Sequence, residues 1–197
     1  KDELMEEVFR EGTIPEEHLI AALHEAIRED RIFPVLYASG LRNVGTDHLL
    51  DFLKAYAPSP VEREPVAARG IMRAIGGNGH ATGVAEMQEE IVMRRVEDKE
   101  PLALYVYKTM TDPFAGRISF FKVISGMVKT DATVQNYTRQ EQERLAHLSI
   151  MQGRKAVEVG ELHAGDIGAV AKLHVTLTGD TLGENGNEVF IEPVTMP

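Results

Sequence analysis

The sequence predicts two parts in tandem: an α/β end-piece, then an all-β domain built as a small barrel. Two observations predict this. Residues 16–56 carry helix-period apolar stripes on either side of one short apolar run, and from Leu102 onward the chain breaks into short β-rich runs separated by turn residues. Between them, 61–100 changes texture, first glycine-rich and then densely charged.

Thr13-Ile14-Pro15-Glu16 reads as a capping box, with Thr13 as N-cap, Glu16 three residues on and Pro15 in the first turn. The helix it opens places Leu19, Ala22, Leu23, Ala26 and Ile27 on one stripe. Ile32 to Tyr37 reads as a buried strand, with Pro34 confining it to an edge or a strand start. A second helix follows Gly45-Thr46, with Leu49, Leu50, Phe52, Leu53 and Tyr56 facing inward, and Pro58-Ser59-Pro60 stops it. Residues 61–101 are expected as a linker or insertion, giving domains 1–60 and 102–197 on either side. The Gly76-Gly77-Asn78-Gly79 cluster lacks a phosphate-loop pattern and reads as a loop.

The β runs LALYVYK, RISFFKVIS, MVK, ATVQNY, RLAHLSI, KAVEV and DIGAVAKLHV are punctuated by Asp112-Pro113, Ser125-Gly126, Thr130-Asp131, Gly160, Gly165-Asp166 and Thr178-Gly179-Asp180. Such spacing favours a closed barrel without free edges. Phe120 and Phe121 must point to opposite faces of their strand, one ring filling the barrel and the other left for a neighbour.

Composition narrows the function. The 197 residues hold 43% apolar side chains, enough for a core, and no Cys, which removes disulfides, thiolate catalysis and Cys-based zinc sites. No apolar run reaches the roughly 20 residues of a membrane span, and the charged opening KDELMEEVFREG is not a signal peptide. A soluble, cytoplasmic chain is expected. It starts inside what reads as a helix, so a fragment of a longer protein is expected too. Net charge is −10, carried mostly by residues 1–100 with 12 Lys/Arg against 20 Asp/Glu, while 108–155 holds eight basic residues against four acidic ones. That local excess fits either a solvated barrel surface or a phosphate-contacting face.

Catalytic constellations are missing. His18 and His24 point in different directions on one helix, His147, His163 and His174 lie on separate β segments, and no HxxxH or HExxH occurs. No Ser sits in a GxSxG elbow, and Glu6-Glu7 and Glu16-Glu17 read as helix-surface charge. No catalytic residue and no metal ligand is assigned.

Taken in order, FPVLYASGLRNVGTDHLLDFLKAYAPSP, PLALYVYKTMTDPFAGRISFFKVISGMVKTDATVQN and AGDIGAVAKLHVTLTGDTL resemble bacterial translation elongation factor G over residues 32–60 and 102–183. The resemblance implies the end of a P-loop GTPase domain followed by an elongation-factor-Tu-domain-2-like barrel, in a ribosome-associated translational GTPase. It places Ala38, Ser39 and Gly40 at the element that closes over the guanine base, where the Ser39 backbone N–H would donate to the guanine carbonyl. It implies small-subunit ribosomal RNA as partner, with Arg117, Lys122, Lys129, Arg139, Arg144, Arg154 and Lys155 as candidate contacts because phosphate neutralisation needs Lys or Arg. GTP and Mg belong to the parent protein. The phosphate-binding loop, the switches and the Asn-Lys-x-Asp motif do not occur in this sequence, so the fragment is expected to need no cofactor and to be inactive towards GTP. A monomer with no DNA or membrane partner is expected. Lys172 stands where the family has Gly, Ala146-His147 where it has Gly-Arg, and Asp131 where a turn Gly is typical. The layout also fits a ribosomal protection protein or a class 3 release factor, and a non-enzymatic protein-interaction barrel is the reading from another class.

Overall fold

The computed structural model describes residues 2–72, 88–113, 116–153 and 155–194. The Gly76–Gly79 cluster and Arg154 lie outside the described residues. The chain divides into two compact units, 1–62 and 63–197.

The first unit holds helices α1 (Asp2–Glu11), α2 (Glu16–Arg28) and α3 (Thr46–Tyr56), then a single 3-10 turn, Pro60–Glu62. Helix α2 begins with Pro15 at the N-cap and no side-chain cap bond, so the box expected at Thr13 does not form. Glu16 and Glu17 in its first turn and Arg28 in its last complement the helix dipole instead. Ala26 is buried and Ala22, Leu23 and Ile27 are half-buried, as the stripe predicts, whereas Leu19 is exposed. In α3, Leu49, Phe52 and Tyr56 form the half-buried side, with the Phe52 and Tyr56 rings 4.7 Å apart, while Leu50 and Leu53 face water.

Residues 32–37 correct the expected buried strand. They pair with no other described segment, and Phe33, Val35 and Tyr37 are 77%, 79% and 93% exposed. A strand exists through the ladder it shares with a neighbour. Among the described residues of this unit, the sole β pairing is the isolated bridge Ser39–Val44, so the apolar run has no ladder to join. The α/β character expected of this unit is therefore not seen.

The second unit is almost entirely β. The stretch expected as a connector contains β1 (Val66–Met72) and β2 (Gln88–Arg94), which pair antiparallel and form a three-stranded sheet with β13 (Val189–Phe190). The main sheet has eight strands: β3 (Ala103–Asp112), β4 (Gly116–Ser125), β6 (Ala132–Asn136), β7 (Glu141–Leu145), β8 (Ser149–Gln152), β9 (Lys155–Glu158), β11 (Ile167–Ala171) and β12 (Thr181–Gly183). Their order is β7-β6-β12-β3-β4-β11-β8-β9. The sheet curls as a half-barrel, and the edge-free closed barrel expected from the turn spacing is not what forms. Among the described residues its end strands β7 and β9 share no ladder. Among the described residues the seam carries the two-residue pair β5 (Val128–Lys129) with β10 (Glu161–Leu162) and a loop bond from Thr130 N–H to Gly160 O, while the bond from Val159 N–H to Leu148 O extends the β8–β9 pairing by one step.

Alternation along the strands builds the core. Val106, Phe121, Val123, Leu145, Leu148 and Leu182 are each wholly buried in the concave side. A second cluster, with Ala68, Ala103, Ile124, Tyr137 and Val189, seats the three-stranded sheet. Gly126 ends β4 at φ 75°, and a Cβ there would sit 2.7 Å from Leu102 Cα, so both turn and packing require glycine. The positions set apart by the family comparison share a geometry: Asp131, His147 and Lys172 have φ of 63°, 54° and 64°. Each non-glycine residue occupies the left-handed region that glycine would adopt without a Cβ penalty.

Candidate functional site

Residues 38–45 form a closed loop on the first unit. Ser39 N–H donates to Val44 O at 2.8 Å, Val44 N–H returns to Ser39 O at 3.1 Å, and Thr46 Oγ1 donates to Asn43 Oδ1 at 2.6 Å. Asn43 (φ 50°) and Gly45 (φ 73°) supply the left-handed turns that bring the chain back to α3. Ala38 and Gly40 are exposed and Ser39 is half-buried. The Ser39 N–H assigned to guanine by the resemblance is thus engaged by its own loop.

The cations separate into three groups. Arg117 and Arg139 are braces. Arg117 Nη2 donates to the Leu173 and His174 carbonyls at 2.6 and 2.5 Å, and its own carbonyl accepts from Lys172 N–H at 2.8 Å, clamping the turn after β11. Arg139 Nε donates at 3.1 Å to Asp180 Oδ2, whose carboxylate is buried. Lys129, Arg144 and Lys155 are exposed beside the seam: Arg144 reaches Asp131 at 2.9 Å and Lys129 reaches Glu161 at 3.8 Å, both in solvent. Such exposed pairs contribute about 0–1 kcal/mol and exchange readily for another anion. Lys122 stands apart on the outer face of β4.

Two buried carboxylates were not foreseen from the sequence. Glu143, on β7, is 1% exposed and accepts from the backbone N–H groups of His174, Val175 and Thr176 and from the Thr176 hydroxyl, all within 2.8–3.0 Å. Burial alone would raise its pKa; the four donors outweigh burial and hold it below the usual carboxylate range. Asp180 Oδ2 accepts from Asn136 Nδ2, Arg139 Nε and Leu177 N–H. Together these carboxylates tie the 172–180 loop to β6 and β7. The signal was present in EQERL, where strand alternation turns Glu143 inward between exposed Gln142 and Arg144.

A further polar contact joins the β2–β3 junction to the turn before β11. Asp98 accepts from Ala164 N–H at 3.0 Å and pairs with His163 Nδ1 at 2.8 Å. The Ala164 N–H bond and the His163 contact lower the Asp98 pKa, and the Asp98 bond raises that of His163. Among the described residues no group of three or more His, Asp or Glu side chains is arranged to hold a metal ion. Nor is any helix among them long and apolar enough to cross a membrane.

This half-barrel has known relatives. Residues 101–185 match the family described as Elongation factor G domain 2. The segment belongs to that family. A solved structure from Thermus thermophilus superposes on 97% of this chain with a TM-score of 0.66 and 26% sequence identity. The chain spans 24% of that protein's length. Within the domain 2 segment, Asp180 and Glu143 organise the interior, Arg117 and Arg139 brace it, and the seam cations face outward.

Proposed function

We propose that this chain is a piece of a translational GTPase of elongation factor G type, in which the domain 2 segment docks on the ribosome and relays the state of the nucleotide domain. The carrying observation is the match of residues 101–185 to elongation factor G domain 2, on strands whose curled order brings exposed cations to one seam. In this reading the first unit is the end of the GTPase domain, Ala38, Ser39 and Gly40 lie beside the guanine base in the parent, and GTP and Mg are cofactors of the parent alone. The setting is the cytoplasm and the partner is small-subunit ribosomal RNA. Lys129, Arg144 and Lys155 are the contacts proposed, because all three are exposed and the surface pairs of Lys129 and Arg144 are weak, which leaves them able to meet phosphates. Arg117 and Arg139 are left out of this proposed set, since each already holds an internal bond.

Co-sedimentation of the full-length parent with ribosomes over a salt series tests this. The reading expects affinity that falls as salt rises, and a shallower slope after Arg144→Glu and Lys155→Glu. Association that ignores both salt and these reversals would refute it.

A further inference from the structure

The convex face of the main sheet is covered at one end, where Ala103, Tyr105 and Ile124 pack with Ala68 and Val189 of the three-stranded sheet, and the register of β3, β4 and β11 shows what it carries beyond that cover. Tyr105 pairs with Lys122 and Lys122 with Ile167; Lys108 with Phe120 and Phe120 with Ala169; Met110 with Ile118 and Ile118 with Ala171. The intervening rows, Val106-Phe121-Gly168 and Thr109-Ser119-Val170, hold the core-facing residues. The three outer rows therefore share the convex side. Between Val106 and Lys108 the pairing slips by one residue, and this bulge turns Tyr107 towards Phe120, their ring centroids 6.4 Å apart. Met110 is 47% exposed, Ile167 57% and Tyr107 41%, with Ile118 and Phe120 half-buried beside them. Lys108 and Lys122 have no ion-pair partner among the described residues and stand within this apolar strip, Lys108 beside Phe120 and Lys122 between Tyr105 and Ile167.

We infer that this convex face is a docking surface for an acidic amphipathic helix of a protein partner. The occupant follows from shape and charge. A sheet face with Met, Ile, Tyr and Phe at its centre has the composition of a protein interface core, and an amphipathic helix covers such a face with one apolar stripe. The two lysines set among these apolar side chains are met by carboxylates beside the helix's apolar stripe. Nucleic acid is the poorer fit, since its contacts are dominated by phosphates, which Met110, Ile118 and Ile167 cannot serve. The inference stands apart from the ribosome reading, which uses the seam cations.

Titration of the isotope-labelled chain, followed by amide NMR, tests it. The probe is an acetylated, amidated helical peptide of about 14 residues with Leu at i, i+3, i+4 and i+7 and Glu elsewhere. Saturable shifts confined to residues 105–110, 118–122 and 167–171 are expected. The double variant Lys108→Glu/Lys122→Glu should weaken binding about tenfold or more, and Ile167→Ser should weaken it while the rest of the spectrum stays native. No shift at millimolar peptide overturns the inference, as does equal binding of the same peptide with Lys in place of Glu. Stronger perturbation of these residues by a uridine decamer than by the peptide overturns it in favour of RNA.

Discussion

Lys172 holds a left-handed conformation at φ 64° immediately after β11, and its N–H is committed to the Arg117 carbonyl. An L-residue there loses about 1–2 kcal/mol relative to glycine, partly offset by the extra unfolded-state freedom glycine brings. Lys172→Gly should therefore raise stability by about 1 kcal/mol in urea unfolding. Glu143 works in the opposite direction, because its removal leaves three backbone N–H groups and a hydroxyl without their acceptor. Glu143→Ala should cost about 3 kcal/mol or more. The same residue sets an acid limit. Its folded pKa lies below the unfolded value, so its contribution is complete above the ordinary carboxylate range and is lost as pH falls through the folded pKa. Unfolding followed against pH should show the wild type losing stability on acidification more steeply than Glu143→Gln, which has no proton to gain at that position.

At the scale of elements, the ladder between β3 and β4 forms the spine of the half-barrel, and Phe121 sits at its centre with no exposed surface. Phe121→Asp places a carboxylate in the core and should unfold the second unit, whereas Leu50→Asp on the exposed side of α3 should shift stability by less than about 0.5 kcal/mol. Circular dichroism of the two variants distinguishes them. These elements differ in how plainly the sequence announced them. RISFFKVIS is a β-rich apolar run that ends at Ser125-Gly126, so β4 was legible, down to the opposite faces of Phe120 and Phe121. The run 32–37 was legible as apolar but not as unpaired, because apolar character does not say whether a ladder partner is present. Strands β12 and β13, of three and two residues, are too short to show a period. Glu143 was overlooked because a charged residue within a charged strand reads as surface until its register is known.

Across the whole molecule, the chemistry is that of a scaffold: internal carboxylates fix a loop, arginines brace turns, and the exposed cations collect beside the seam where the ends of the curled sheet approach. Without a phosphate-binding loop in its sequence, the chain should give no heat of GTP binding by calorimetry, while the parent protein should bind in the micromolar range or tighter. The resemblance of residues 102–183 to the family is legible in the sequence, whereas the half-barrel in place of a closed barrel rests on a strand order that turn spacing does not specify. The cation groups could not be separated by sequence, since Arg117 and Arg144 look alike until one is found gripping two carbonyls and the other facing solvent. The most direct test of the account is crosslinking from a photoreactive residue placed at position 155 of the parent protein bound to ribosomes. Adducts in small-subunit ribosomal RNA that disappear when the salt concentration is raised are expected. Adducts confined to ribosomal or other proteins, or none under conditions where the parent is bound, would contradict it.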